Sequence, residues 1–199
     1  MKLSDRKKLD ILDAAETEFL QQGFERANTD AITQLARVSK RTLYRHFNSK
    51  ETLFTAVLHR LHDRMRDPKG PVFNADMSLY SQLLILLQHE SQCLYRTYSI
   101  PMLRMIMVEL LRQPELAREI IEDIYDRDTL FSDWLASAAD AGMLQITDLE
   151  VMSQLLQGMF NGLLLWPALM TDGELPSRSA LKVSLAEIAR VFVAAYGKE

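Results

Sequence analysis

No stretch of the 199 residues alternates apolar and polar side chains over the length of a strand, and none shows the Val, Ile and Thr enrichment that a strand would carry. That restricts the chain to helices. Apolar residues recur at helical spacing instead, as with Leu12, Ala15 and Phe19 at i, i+3 and i+7, and capping residues fall between the runs. With only seven Gly and six Pro to interrupt them, and 48% hydrophobic residues to fill a core, the expectation is an all-α protein of one large domain or two small ones.

The punctuation sets the expected elements. A first helix starts after Ser4 and stops at Gly23, which can take the left-handed conformation that ends a helix. Thr29 is the expected N-cap of a short second helix, with Asp30 at its positive end and Ile32, Leu35 and Ala36 facing inward, ending near Arg37. Ser39 caps a third, where Leu43 and Phe47, four apart, share one side while Arg41, Thr42 and Arg45 point the other way. Ser49 caps a fourth, running through Leu53, Val57, Leu61 and Met65 to the "DPKGP" of Asp67–Pro71, the expected domain boundary. Further helices are expected over 76–98, from Pro101, from Pro114 to Asp140 closed by Gly142, over 147–170 and over 177–196.

Charge divides the chain at the same boundary. Residues 1–66 carry 13 Lys/Arg against 9 Asp/Glu, a balance of +4, and residues 67–199 carry 10 against 18, a balance of −8. A polyanion is therefore attracted to the first part and repelled by the second. The basic charge is concentrated in "SKRTLYRHFNSK", residues 39–50, which holds Lys40, Arg41, Arg45, His46 and Lys50 and no acid. Two short helices joined by a tight turn, the second with a basic and hydroxylated outer face, are the parts of a helix-turn-helix DNA reader. The charge would neutralise phosphates, and the helix starts at Ser39 and Ser49 would offer backbone N–H groups to phosphate oxygens.

The segment "ILDAAETEFLQQGFERANTDAITQLARVSKRTLYRHFNSKETLF" resembles the N-terminal DNA-binding domain of the tetracycline-repressor (TetR/AcrR) family over about residues 5–58. Ile11-Leu12, Ala14-Ala15, Phe19, Gly23, Thr29, Val38-Ser39, Thr42-Leu43-Tyr44, His46-Phe47 and Ser49-Lys50-Glu51 carry the resemblance. Two positions depart from it: Arg37 stands where the family has Gly before Val-Ser, and Ile32-Thr33 stands for Ile-Ala. The resemblance implies base contacts from Lys40, Arg41 and Thr42, and backbone contacts from Thr29, Tyr44, His46 and Lys50. Arg45, on the outward face, and Arg37 and Ser39, in the turn, complete the expected interface. It further implies a three-helix DNA-binding domain over 1–66, with a linking helix from about 50, and a larger helical ligand-binding and dimerisation domain over 67–199. Such a protein is a homodimeric repressor that leaves a double-stranded DNA operator when a small apolar effector binds.

In the second domain the resemblance is looser, carried by "MLRMIMVELLRQPELA" and "DLEVMSQLLQGMFNGLLLW". Met102, Met105, Trp134 and Met159 are expected to line an apolar ligand site, with Glu109 as either a polar anchor or a surface charge; core filling explains the methionines equally well. The last helix carries two apolar stripes, Leu181, Leu185, Ile188 and Phe192 on one side and Val183, Ala186, Ala189 and Val193 on another, and a helix greasy on two sides needs two partners. The dimer is therefore expected to use Ala186, Ala189 and Val193 together with Gly158 and Gly162, whose spacing allows close helix approach. His59 and His62 lack a third ligand, His89-Glu90 lacks the second histidine of a zinc-protease motif, and Cys93 reads as a small apolar residue, so no metal or other cofactor is expected. No catalytic set is legible, which leaves a helical enzyme with an attached DNA reader as a remote alternative. Constitutive DNA binding, or control by a protein partner, is a closer one. With no membrane-spanning run and a single cysteine, a cytoplasmic location is expected.

Overall fold

The computed structural model describes residues 3–65, 70–97, 100–125, 130–171 and 175–198. Along them run α1 (Leu3–Arg26), α2 (Thr29–Leu35), α3 (Lys40–His46), α4 (Lys50–Met65), α5 (Leu79–Thr97), α6 (Ile100–Arg112), α7 (Pro114–Tyr125), α8 (Leu130–Asp140) and α9 (Leu149–Phe160). A π-helical turn (Asn161–Leu165), α10 (Trp166–Met170) and α11 (Arg178–Tyr196) follow. The fold is all-α, and among the described residues strand-like pairing is confined to an isolated bridge between Leu144 and Gly197. Two compact units form: Met1–Arg64 with Pro101–Ile124, and Met65–Ile100 with Tyr125–Glu199. Most of α6 and nearly all of α7 thus pack with the N-terminal helices. The expected boundary falls largely on residues 66–69, outside the described residues. The single helix expected over Pro114–Asp140 crosses 126–129, also outside them, with α7 and α8 on either side.

In the first unit the i, i+3, i+7 spacing of α1 becomes a buried stripe of Ile11, Leu12, Ala15 and Phe19. Gly23 interrupts α1 with φ 73° and ψ 166°, a backbone region open to glycine but hardly to other residues. Phe24, just beyond, is buried, 4.9 Å from the ring of Phe54, which Phe19 also meets edge-on at 5.3 Å. Burying each such ring or a leucine contributes about 1.5–3 kcal/mol, so the aromatic cluster, with Leu53, Val57 and Leu61, seats α4 on α1. At the rim Arg64 holds both carboxylate oxygens of Glu16 at 3.0 Å, and Arg60 pairs with Asp13. These pairs are partly exposed and contribute little beside the core.

In the second unit α5 buries Leu79, Leu83, Leu86, Leu87 and Leu94, and α11 lies along it with Leu185, Ile188, Ala189 and Phe192 inward. Gln82 is a buried polar residue with its bonds made: its Oε1 accepts from the Asn74 N–H (3.1 Å) and the Trp134 indole N–H (3.3 Å), and its Nε2 donates to the Met77 carbonyl (3.2 Å). Glu90 is a less comfortable case. It follows Leu86 on the inner side of α5, its Oε1 is buried with only the His89 Nδ1, at 3.5 Å, beside it, and burial holds its carboxyl above the ordinary carboxylate range against the pull of that histidine.

The end of α8 is closed by Gly142 at φ 74°: its N–H donates to the Ala139 carbonyl (2.8 Å) and the Met143 N–H to that of Ala138 (3.0 Å), the paired bonds of a Schellman motif. The chain then pairs with the end of α11, Gln145 N–H to Tyr196 carbonyl and Lys198 N–H to Met143 carbonyl, both at 2.9 Å. The π turn lies immediately ahead of α10 and its Pro167, a residue that has no N–H and crowds the preceding turn. The Tyr95 hydroxyl donates to the Leu164 carbonyl there at 3.4 Å.

Candidate nucleic-acid interface

The start of α2 corrects one expectation. Asn28, not Thr29, is the N-cap: its side chain accepts from the Asp30 N–H at 2.8 Å, and Thr29 is the first helical residue. The Asn one residue ahead outcompetes the Thr because its side chain bonds the backbone N–H two residues on with little rearrangement. Freed from capping, the Thr29 hydroxyl sits 3.4 Å from that of Tyr44, so α2 and α3 bring two hydroxyls together on an exposed side.

At the other end of α2, the Arg37 N–H donates to the Gln34 carbonyl (3.2 Å) and the Val38 N–H to that of Thr33 (3.0 Å), again a Schellman motif. Arg37 takes the left-handed conformation at φ 51°, at a cost of about 1–2 kcal/mol for a residue with a Cβ. Ser39 then caps α3, its Oγ accepting from the Thr42 N–H at 3.1 Å, and Ser49 caps α4 in the same way through Thr52 at 3.1 Å. These caps occupy N–H groups that the sequence offered to phosphates. They also carry the neighbouring carboxyl of Glu51, which its own backbone N–H and the Ser49 hydroxyl hold below the ordinary range.

Two sides of α3 are sharply different. Leu43 and Phe47 are buried, while Arg41, Tyr44 and Arg45 are exposed and Thr42 half-buried, as the four-residue spacing required. Two of the basic groups are not idle. The Lys40 ammonium pairs with Asp30 at 2.7 Å, which holds its pKa above the usual value. The Lys50 ammonium donates to the carbonyls of Glu25 (3.0 Å) and Ala27 (3.4 Å) and lies 4.7 Å from the Phe24 ring, so it also fastens the end of α1 to the start of α4. An ammonium has three N–H donors, which leaves one for a phosphate. His46 is half-buried and its Nε2 is enclosed without a hydrogen-bond partner. Neither Asp30 as a partner of Lys40 nor Asn28 as a cap was read from sequence, though the run Asn28-Thr29-Asp30 offers three cap candidates in a row.

Other expected sites are placed less simply. Met102 and Glu109 are buried and Met105 half-buried on α6, in the first unit; Trp134 is buried on α8 and Met159 half-buried on α9, in the second. Glu109 hydrogen-bonds Gln113 one turn on. Two open grooves of about 620 and 300 Å³ are lined by α1 and α4, and none of these five residues lines either. Of the expected dimer residues, Gly158 and Gly162 are exposed with open space beside them, and Ala186 and Val193 are half-buried. Ala189 is 0% exposed within its own chain, so it is not surface for a second chain to cover. The stripe assignment put it on the outer side; packing of α11 into its own unit draws it inward. Exposed apolar side chains in this part of the sequence include Leu155, Leu163, Trp166, Met170 and Val183. Among the described residues no His, Cys, Asp and Glu cluster suits a metal, and the side chain of His62 lies outside them. Among the described residues no helix is long and apolar enough to cross a membrane.

With this geometry in hand, comparison with known proteins is specific. Residues 11–57 match "Bacterial regulatory proteins, tetR family", and residues 81–198 match "AefR-like transcriptional repressor, C-terminal domain". The HTH-type transcriptional regulator YhgD of Bacillus subtilis is 42% identical over 62 residues, 31% of this chain and 32% of its own length. The match thus spans about a third of that relative. A TetR family transcriptional regulator from Pseudomonas syringae superposes over 99% of this chain and 100% of its own with a TM-score of 0.81 at 28% identity. The flavonoid-responsive regulator FrrA does so over 98% and 99%, with a TM-score of 0.77 at 25% identity.

Proposed function

This chain belongs to the TetR family of bacterial transcriptional regulators, a DNA-binding family and not an enzyme family, and from there we propose that it is a homodimeric cytoplasmic repressor released from its operator by a small apolar molecule. The observation that carries the DNA reading is α3 itself: Leu43 and the C-cap Phe47 are buried in the core, and Arg41 and Arg45 are left outward on the same short helix. In this reading residues 1–66 bind DNA, with Lys40, Arg41 and Thr42 reading base edges from the front of α3. Thr29 and Tyr44, through their paired hydroxyls, and Ser39, Arg45, His46 and the spare N–H of Lys50 hold the phosphate backbone. Residues 67–199 then carry the effector site and the dimer contact, with Gly158, Gly162, Ala186 and Val193 at its centre and Leu163, Trp166 and Val183 around them. A two-fold dimer presents two copies of α3 to half-sites about 34–36 Å apart per helical turn.

Trp134 and Met159, both in the second unit, remain proposed effector contacts, and the flavonoid response of a structural relative fits a flat, largely apolar molecule. A second reading, DNA binding that is constitutive or governed by a protein partner, is favoured by one observation. Trp134 is buried and its indole N–H is already hydrogen-bonded to Gln82, so this ring is committed within its own unit. Mapping the bound DNA across the genome, then measuring binding to the recovered sequence with a panel of apolar and aromatic compounds, separates the two. Release by any of them supports the first reading and indifference to all supports the second; no preferred sequence at all counts against both.

A further inference from the structure

The turns after α2 and after α8 are built from the same pair of hydrogen bonds around one left-handed residue. In one that residue is Gly142, which takes φ 74° without a Cβ to clash. In the other it is Arg37, the only non-glycine residue with positive φ among those described. The turn gains nothing visible from the side chain. Arg37 is exposed, and no described residue pairs with its guanidinium, whereas Lys40 has Asp30 and Lys50 has two carbonyls. Strain without an internal return points to a use outside the chain.

We infer that Arg37 grips a DNA phosphate beside the groove that α3 enters, so that at this corner the protein gives up turn stability for affinity. The inference rests on the proposed DNA-binding reading. A phosphate fits better than a base because Arg37 lies in the turn ahead of α3 and not on the helix itself, and a planar guanidinium matches phosphate oxygens in pairs. The Schellman bonds fix the backbone on both sides of it, so the side chain starts from a defined point and less freedom is lost on contact.

The test uses the full chain and a short duplex of random sequence, because a phosphate contact does not depend on sequence. Three variants separate charge from strain. R37G removes both, R37N removes the charge but tolerates the left-handed backbone, and R37K keeps both. R37G and R37N should each flatten the slope of log affinity against log salt by about 0.9, so that over a roughly fourfold rise in salt the parent loses about 3.5-fold more affinity than either variant. R37K should keep the parental slope. R37G should also melt about 2 °C higher than the parent. A parental slope in R37G overturns the phosphate contact while leaving DNA binding intact, and a lower melting point in R37G overturns the exchange of stability for affinity. A parent that fails to bind the duplex at any salt overturns both this inference and the reading beneath it.

Discussion

α3 and α11 each have one side in a core and one outside, yet their outer sides differ in how they can be known. The exposed positions of α3 include Arg41 and Arg45, and an unpaired charge cannot be buried without a penalty of several kcal/mol, so their direction follows from their chemistry. On α11 the choice falls between apolar residues. Val183 is 69% exposed and Ala189 0%, although both belong to the stripe that sequence assigned to the outside. An apolar side chain accepts either place, and its neighbours decide. Charge marks a surface; hydrophobicity marks only a candidate core.

The strongest way to break this contrast is to put the same charge at both α11 positions. Ala189→Glu places an unpaired carboxylate in a site closed within its own chain and should destabilise the fold by at least about 3 kcal/mol, seen as a large fall in the denaturant midpoint. Val183→Glu should stay within about 0.5 kcal/mol of the parent by the same measurement, while shifting sedimentation toward monomer if this side of α11 is the dimer contact. Equal losses from the two would mean that Val183 is not an outer residue in solution.

On α3, Arg41→Ala should leave the melting temperature unchanged and cost about 1–3 kcal/mol of binding to the preferred operator, with a much smaller loss on random DNA. Equal losses on both would reduce Arg41 to a phosphate contact. Ser39→Ala attacks the same helix from its start: loss of the bond to the Thr42 N–H should cost about 1 kcal/mol of stability in an unfolding titration, a change the outer arginines would not produce.

The smallest effect tests the counter-case, a charge-bearing residue that faces inward. Burial raises the Glu90 carboxyl, so the protonated group is favoured in the fold. The associated stability is fully present below the ordinary carboxylate pKa and is lost as pH rises through the raised one. Glu90→Gln should therefore flatten the fall in stability over that range and leave the protein slightly more stable at neutral pH. An unchanged pH profile would mean that the carboxyl is open to water.

Legibility followed the same line through the site. Ser39, Ser49, Leu43 and Phe47 were read correctly because capping and four-residue spacing act within one turn of helix. Thr29 was misread because three adjacent residues can each cap, and the choice among them depends on local backbone angles. The second grip of Lys50, on the carbonyls of Glu25 and Ala27, joins residues more than 20 apart, a separation that no local rule spans.

What the sequence determined by itself was the helical class, the caps at Ser39 and Ser49 and the outward direction of the α3 arginines, since each depends on contacts within a few residues or on the cost of burying an ion. The tertiary structure alone decided that α6 and α7 join the N-terminal unit, that Ala189 turns inward, that Lys40 and Lys50 already have partners, and that Arg37 sits at φ 51° in a turn of the kind that glycine makes after α8. Those outcomes depend on which distant surfaces meet. Apolar packing is nearly indifferent to the identity of its partner, so the sequence of one helix does not name the helix it will touch.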